Sequence, residues 1–199
     1  MDESPKSKIP KAKIVFIGNS SVGKTALFER LKKKTFISNT SPTISGACAN
    51  INVELDSNVN ITLMVWDTAG EESFRSIVPM YFSRAAFILI VYDITSPSSF
   101  DSIPEWFDLS KSKAPEWSKV IIIGNKSDLE DQRKVSLSDC DELCHKLGAF
   151  FSIETSAITG DGINDLLHYI ASTVKEDAEN AYEQSSMPIE NKTGQKKCC

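Results

Sequence analysis

The sequence has no long apolar run, little histidine and no excess of positive charge. No stretch reaches the roughly 18 apolar residues that span a bilayer. Residues 1–10 are charged and contain proline, without the apolar segment of a signal peptide, and we expect a flexible leader there. Lys and Arg number 22 against 27 Asp and Glu, for a net charge of −5. That balance argues against a general nucleic-acid-binding role.

Cysteine is also scarce. There are five cysteines, an odd number, and they lack the spacing of a disulfide framework. This pattern favours a protein of a reducing compartment. Cys140, Cys144 and His145 could suggest a metal site, since residues i and i+4 share a helix face. No fourth ligand lies nearby in sequence, and buried free cysteines are common. We therefore expect ordinary core cysteines at 140 and 144.

Apolar, β-branched runs alternate with helical patterns along the chain, and this predicts a mostly parallel sheet with helices on both faces. The two runs on either side of residues 56–58 predict a hairpin. Ser136 and Asp139 predict a capping box at one helix start. The expected strands are 13–18, 49–55, 59–66, 87–92, 120–123 and 150–153, and the expected helices are 24–33, 97–113, 138–147 and 163–181. Ligands of such sheets bind beyond the carboxyl ends of the strands.

Residues 18–25 read GNSSVGKT, which satisfies the P-loop pattern G-x-x-x-x-G-K-[ST]. They lie between an apolar strand and a helix, where backbone N–H groups and the helix dipole can hold phosphates. Gly18 and Gly23 allow the tight turn. Lys24 can reach the β- and γ-phosphates, and the Thr25 hydroxyl can hold Mg²⁺.

Further polar segments follow the predicted strands. Asp67, in the string DTAG, is positioned as the Walker-B acid that holds Mg²⁺ through water. Gly70 would let its N–H turn towards a γ-phosphate. Thr43 lies 18 residues after Thr25 and could give its hydroxyl to Mg²⁺ and its N–H to the γ-phosphate. Loss of that phosphate would free the loop, as in an order–disorder switch.

Two strings point to guanine. In NKSD, the Asp128 carboxylate can accept hydrogen bonds from N1–H and the 2-amino group, which adenine lacks at that edge. Lys126 can lie along the base plane, and Asn125 can brace the P-loop. In ETSA, the backbone N–H of Ala157 could meet guanine O6.

The strings GNSSVGKT, SPTIS, WDTAGEESF, VYDIT, NKSD and ETSA resemble the motifs of the Ras superfamily, and specifically of its Rab branch. The resemblance covers about residues 12–174, and residues 77–81 are similar to the Rab5-like subgroup. It implies a small G domain with a six-stranded sheet that binds GTP or GDP with Mg²⁺. It also implies that Phe36 packs against guanine, although Phe36 could instead be a core residue. The expected nucleotide contacts are Ser20, Ser21, Val22, Gly23, Lys24, Thr25, Ala26, Phe36, Thr43, Gly70, Asn125, Lys126, Asp128, Ser156, Ala157 and Ile158.

The chain departs from this family at two important positions. Family members carry glutamine where this chain has Glu71, and that glutamine orients the attacking water. An ionised carboxylate cannot donate a hydrogen bond and repels the γ-phosphate, so we expect slow hydrolysis. Lys24, Thr43 and Gly70 are the other residues expected to act in the hydrolysis step. Cys48 replaces an aromatic residue that would join Trp66 and Tyr81 on the effector-facing surface, which predicts divergent effectors.

We divide the chain into a leader (1–10), a G domain (11–180) and a tail (181–199), and we expect residues 185–197 to be a disordered tether. The terminal Cys198 and Cys199 look like a Rab prenylation site, and two lipid chains anchor stably. The resemblance implies a cycling location on the cytoplasmic face of an intracellular membrane. Expected partners are an exchange factor, a GTPase-activating protein, effectors, a prenylation escort and a GDP-dissociation-inhibitor carrier.

The leading hypothesis is therefore a membrane-tethered GTP/GDP switch in vesicle traffic with slow hydrolysis. We expect a monomer that does not bind nucleic acid. A scaffold that binds GTP without hydrolysing it is the second reading. A P-loop nucleotide kinase is a distant third, because residues 125–128 specify guanine.

Overall fold

The structure, a computed structural model, describes residues 10–33, 46–56, 59–68 and 77–186. The strands are β1 Lys11–Ile17, β2 Ala47–Asp56, β3 Val59–Asp67, β4 Phe87–Asp93, β5 Lys119–Asn125 and β6 Phe151–Thr155. The helices are α1 Lys24–Lys33, α2 Pro97–Asp101, α3 Ile103–Lys113, α4 Leu137–Leu147 and α5 Ile163–Ser186, with 3₁₀ helices at Val78–Phe82 and Ser127–Gln132. None of the helices in these ranges is long and apolar enough to cross a bilayer.

The six strands form one sheet in the order β2-β3-β1-β4-β5-β6. β2 runs antiparallel to β3, and the remaining pairs are parallel. The predicted α/β class with a mostly parallel six-stranded sheet is confirmed. Because β1 and β3 to β6 are parallel to one another, their carboxyl ends lie along one edge of the sheet, where the polar strings were expected to meet.

Both faces of the sheet are covered, which explains the continuous apolar strands. Along β1, Ile14 and Phe16 belong to a core cluster shared with α1 and α5. Val15 and Ile17 point to the opposite cluster, shared with α3 and α4. Cys140 and Cys144 lie buried in that second cluster, as expected.

The prediction of one helix over residues 97–113 is wrong in one respect. The structure has two helices there, α2 and α3, which are separated at Ser102. Pro104 has no N–H to donate to the carbonyl of Phe100, so a continuous helix would lack that hydrogen bond. The Ser102 hydroxyl donates to Ser98 O at 2.8 Å, and α3 restarts with the N–H of Trp106 bonded to Ser102 O at 3.2 Å. The break places Ser102 at the start of α3, beside the P-loop.

Several elements extend beyond their predicted ends. β4 and β5 continue through Asp93 and Asn125, because these polar residues still pair with each other in the sheet. β6 begins at Phe151 and continues through Thr155, which pairs with Asn125. α5 continues past residue 181 to Ser186 and so includes the first two residues of the expected tether. Residues 175–186 include three Glu and two Ala, which have high helix propensity and can extend the helix without an apolar face.

The capping box predicted at α4 is confirmed. The N–H of Asp139 donates to Ser136 Oγ at 3.1 Å, and the N–H of Ser136 donates to Asp139 Oδ2 at 3.2 Å. Two N–H groups at the helix start are thereby satisfied by side chains.

Candidate functional site

The P-loop turns between β1 and α1 at two positive-φ glycines, Gly18 at 133° and Gly23 at 100°. A Cβ on Gly18 would collide with the carbonyl oxygen of Val91, and one on Gly23 would collide with Asn125 Nδ2. These two positions therefore need glycine for both backbone conformation and space. The loop lies close to β4 and β5 and ends at the N-terminus of α1.

Lys24 begins α1 and is almost fully buried, with 5% of its surface exposed. Its Nζ donates to Gly18 O at 2.9 Å and to Asn19 O at 2.7 Å, so the ammonium is held across the loop. Burial lowers the pKa of Lys24 to about 8, while the negative charge of Asp67 acts in the opposite direction. The P-loop thus holds a fixed, poorly solvated cation whose charge a bound phosphate would stabilise.

Thr25 and Asp67 bring together the oxygen ligands expected for Mg²⁺. Thr25 Oγ1 donates to Asp67 Oδ2 at 2.8 Å, which joins the start of α1 to the end of β3. Asp67 is 1% exposed, and the carboxylate lies close enough to Lys24 to act on its pKa. A hydroxyl and a carboxylate at this spacing fit the hard oxygen donors that Mg²⁺ takes in phosphate sites.

The two strings predicted to recognise guanine, NKSD and ETSA, meet at the ends of β5 and β6. Ser156 Oγ donates to Asp128 Oδ1 at 2.5 Å and accepts from the N–H groups of Ile158 and Thr159 at 3.2 and 3.1 Å. One hydroxyl therefore joins the Asp128 carboxylate to the backbone turn that follows Ala157. Ala157 is buried, whereas half of Ile158 is exposed.

Asn125 connects this region to the P-loop, as predicted. Its Nδ2 donates to Val22 O at 2.9 Å, and its Oδ1 accepts from Thr155 Oγ1 at 3.3 Å. Asn125 is 1% exposed, so both contacts lie in the interior. Its side chain links the phosphate loop to both base-recognition strings.

The sequence model of the Ras family matches residues 13–176. The chain belongs to the Ras family. GTP-binding protein ypt2 of Schizosaccharomyces pombe is 36% identical over 192 residues, covering 94% of this chain and 95% of the relative. Ras-related protein Rab5 of Nicotiana tabacum is 36% identical over 185 residues, covering 92% and 90%. Ras-related protein Rab-4 of Dictyostelium discoideum is 36% identical over 154 residues, covering 77% and 74%.

These relatives identify a Ras-family protein of the Rab type, a class of small GTPases that regulate vesicle traffic. Ras-family GTPases bind GTP and GDP, typically with Mg²⁺, and act with exchange factors, GTPase-activating proteins and effectors. Rab5 and Rab-4 match this Ras-family chain at the same identity, so the Rab5-like subgroup stays a prediction.

The three residues expected on the effector-facing surface of this Ras-family chain lie together. Cys48 is exposed and pairs with Trp66 across the β2–β3 ladder. The rings of Trp66 and Tyr81 are tilted, with centroids 5.7 Å apart. The N–H of Gly46 donates to the Tyr81 hydroxyl at 3.2 Å, which links the start of β2 to the 3₁₀ helix at Val78–Phe82.

Sequence reasoning missed several supporting residues. Asp93 Oδ2 lies 2.6 Å from Lys126 Nζ and holds the ammonium end of that side chain. Burial acts to raise the pKa of Asp93, but hydrogen bonds from Lys126 and Thr95 outweigh it and lower the pKa. The sequence did contain a signal for Asp93. It ends an apolar strand in the string VYDIT, just as Asp67 ends an apolar strand and begins the string DTAG.

Two arginines and a tryptophan were also missed. Arg133 forms ion pairs with Glu130 and Glu154, and these bonds raise its pKa, Glu154 contributing most. Trp106 Nε1 donates to Asn19 Oδ1 at 2.7 Å. Arg30 donates to the backbone after Ala157. None of these partners is close in sequence except Glu130, so no local pattern indicates them.

Six of the predicted site residues lie outside the described ranges. They are Phe36, Thr43, Gly70, Glu71, Cys198 and Cys199. Their assigned roles in base packing, metal binding, hydrolysis and lipidation stay predictions.

Proposed function

We propose that this chain is a membrane-tethered guanine-nucleotide switch that binds GTP and GDP with Mg²⁺ and hydrolyses GTP slowly. The observation that carries the proposal is the contact of Ser156 Oγ with Asp128 Oδ1 at 2.5 Å, at the end of the sheet that also holds the P-loop. A carboxylate fixed there can pair with N1–H and the 2-amino group of guanine, and an adenine in its place would leave the charge unpaired.

Phosphate and metal binding are assigned to the start of α1. Lys24 would contact the β- and γ-phosphates, with the P-loop residues Ser20, Ser21, Val22, Gly23 and Ala26 around them. Thr25 and Asp67 would hold Mg²⁺ together with Thr43, and the Thr25 Oγ1 and Asp67 Oδ2 atoms lie 2.8 Å apart. The ion, when bound, neutralises charge on the phosphates. Gly70 would contact the γ-phosphate through its backbone.

The base is assigned to the loops after β5 and β6. Asn125 would keep the P-loop in place, and Lys126 would lie along the base plane with its ammonium held by Asp93. Ala157 would read guanine O6 through its N–H, and Ser156 would orient Asp128. Ile158 and Phe36 would pack against the base.

Glu71 is the reason for proposing slow hydrolysis. Its carboxylate would lie beside a γ-phosphate that already carries several negative charges. Repulsion of about 1–3 kcal/mol would slow the reaction roughly 5- to 150-fold. A carboxylate could instead act as a base towards water, but attack through a loose transition state gains little from a general base.

Membrane attachment is assigned to lipids on Cys198 and Cys199. Two chains anchor stably where one is marginal, and an escort for prenylation and a GDP-dissociation-inhibitor carrier would then govern membrane residence. We propose the cytoplasmic face of an endosomal or other vesicle membrane as the location. Effector binding would use the surface formed by Cys48, Trp66 and Tyr81.

A second candidate function is a GTP-binding scaffold without useful hydrolysis, and Glu71 is the feature that favours it. Single-turnover hydrolysis of bound GTP separates the two, with wild type compared to Glu71→Gln, alone and with a broad-range Rab GTPase-activating protein. Slow turnover that Glu71→Gln accelerates supports the slow switch. No turnover in the wild type under any condition supports the scaffold, and equal, fast turnover in both contradicts the role given to Glu71.

A further inference from the structure

Arg30 joins the helix that follows the P-loop to the backbone turn that follows Ala157. Its Nη2 donates to Thr159 O at 2.8 Å, and its Nη1 donates to Ile158 O at 3.4 Å. The partners lie 128 and 129 residues away in sequence. The same helix begins with Lys24 and Thr25, so one rigid element carries both the phosphate-binding groups and this contact.

The turn after Ala157 is held from two sides. On one side, Ser156 Oγ accepts from the N–H groups of Ile158 and Thr159. On the other side, Arg30 donates to the carbonyl oxygens of the same two residues. Hydrogen bonds at both ends of each residue fix the orientation of the intervening peptide groups, and bonds from a charged guanidinium are stronger than neutral ones.

Gly160 completes the contact by leaving room for the guanidinium. Its φ is +94°, and a Cβ at this position would collide with Arg30 Nη2. The N–H of Gly160 donates to Ser156 O at 2.8 Å, which closes the turn. The arginine therefore packs directly on the backbone of the turn, without an intervening side chain.

We propose that Arg30 is a positioning residue for recognition of guanine O6. By fixing the carbonyls of Ile158 and Thr159, it sets the peptide N–H of Ala157, immediately before them, at the place where O6 binds. The inference rests on the proposed base-binding role of this turn. Asp128 lies on the other base loop and receives no direct bond from Arg30, and its link to this turn runs through Ser156 Oγ. Recognition of N1–H and the 2-amino group should therefore respond less to Arg30 than recognition of O6.

The two recognition elements can be separated with nucleotide analogues. A guanosine diphosphate with sulfur in place of O6 keeps N1–H and the 2-amino group but offers a weaker acceptor to Ala157. Inosine diphosphate keeps O6 and lacks the 2-amino group that Asp128 would read. Competition of GDP, each analogue and ADP against a fluorescent GDP on the full-length protein with Mg²⁺ gives the three preference ratios.

In Arg30→Ala the preference for GDP over the sulfur analogue falls about fivefold, which corresponds to roughly 1 kcal/mol. The preference for GDP over inosine diphosphate changes less than about twofold. Arg30→Lys keeps the charge but lacks the planar fork, so it falls between wild type and Arg30→Ala. Lys33→Ala is the matched control, because it removes an ion pair with Glu29 on the same helix without touching the turn.

Equal changes in both preferences, or no change in either, would overturn the role of Arg30. If Arg30→Ala does not fold, as judged by its thermal unfolding, Arg30→Lys carries the same test against Lys33→Ala. A wild-type protein that does not prefer GDP to ADP would instead overturn the proposed function. If Arg30→Ala still prefers GDP to ADP, and its preference for GDP over the sulfur analogue equals that of the wild type, only the inference about Arg30 is overturned.

Discussion

The indole N–H of Trp106 donates to the side-chain oxygen of Asn19 at 2.7 Å, so α3 holds the first variable residue of the P-loop. Asn19 Nδ2 donates in turn to Ser102 Oγ at 2.9 Å, and the Asn19 carbonyl accepts from Lys24 Nζ at 2.7 Å. A buried aromatic residue on the opposite side of the sheet from α1 is thereby connected to Lys24, the lysine proposed to bind phosphate. The P-loop is supported by tertiary contacts in addition to its own backbone turn.

Trp106→Phe should destabilise the protein by about 1 kcal/mol, because the ring packing is largely kept while the partly buried hydrogen bond to Asn19 Oδ1 is lost. Urea unfolding followed by circular dichroism measures the change. Trp117→Phe is the control, since Trp117 is 60% exposed and a surface change there should stay within about 0.5 kcal/mol. Equal stability of the two variants would show that the Trp106 hydrogen bond contributes little.

The ion pair of Arg133 and Glu154 should couple the two base loops energetically. Both side chains are 17% exposed, and their closest atoms lie 2.6 Å apart. A double-mutant cycle with Arg133→Ala and Glu154→Ala should give a coupling free energy of about 1–2 kcal/mol from unfolding measurements. The more exposed Lys33–Glu29 pair should give less than about 0.5 kcal/mol, and similar couplings for the two pairs would contradict the prediction.

GDP affinity should fall as the pH rises above the pKa of Lys24. Burial lowers that pKa to about 8, and a bound phosphate raises it by stabilising the ammonium. A growing fraction of the free protein lacks this proton as the pH rises through about 8 and must take it up on binding. The dissociation constant should therefore increase roughly fourfold between about pH 7 and pH 8.5.

Calorimetry in two buffers of different ionisation enthalpy tests this directly. The binding enthalpies should differ by an amount that reports proton uptake at about pH 8.5, with much less uptake at about pH 7. Proton release at the higher pH, or none, would contradict a lowered pKa for Lys24 in the free protein.

Cys48→Phe should strengthen binding to Rab effectors that contact the aromatic surface. A phenyl ring at this exposed position would lie across the ladder from Trp66 and add contact area, for a gain of about tenfold in affinity. Calorimetry with protein loaded with a non-hydrolysable GTP analogue measures the change, and Cys48→Ser controls for loss of the thiol. Strong wild-type binding that Cys48→Phe leaves unchanged would argue against divergent effector use.

Features that depend on short-range sequence were predicted well. The capping box at Ser136 and Asp139 depends on residues three apart, and its pattern is visible in the sequence. The alternation of Ile14 and Phe16 with Val15 and Ile17 between two cores likewise follows from strand geometry once both faces are covered. The Asn125 brace joins residues 103 apart in sequence and was nevertheless predicted, because polar residues at the ends of parallel strands meet at one edge.

Contacts that helix side chains make with distant loops were not predictable in the same way. Asn19 and Trp106 are 87 residues apart, and Arg30 and Thr159 are 129 apart. Each contact depends on how one helix, α3 or α1, lies relative to a loop at the edge of the sheet, which the sequence pattern does not specify. The break at Ser102 is an intermediate case, because Pro104 is a local signal whose effect depends on how α2 and α3 pack.

The bond between Asn125 and Val22 has a consequence for biosynthesis. The P-loop leaves the ribosome early, but its partner is made 103 residues later, roughly 5 to 20 s afterwards at ordinary translation rates. The turn containing Ala157 follows later still. A nascent chain paused between these points carries the complete P-loop motif without the side chain that braces it, so we expect the proposed nucleotide site to form only once Asn125 has been made.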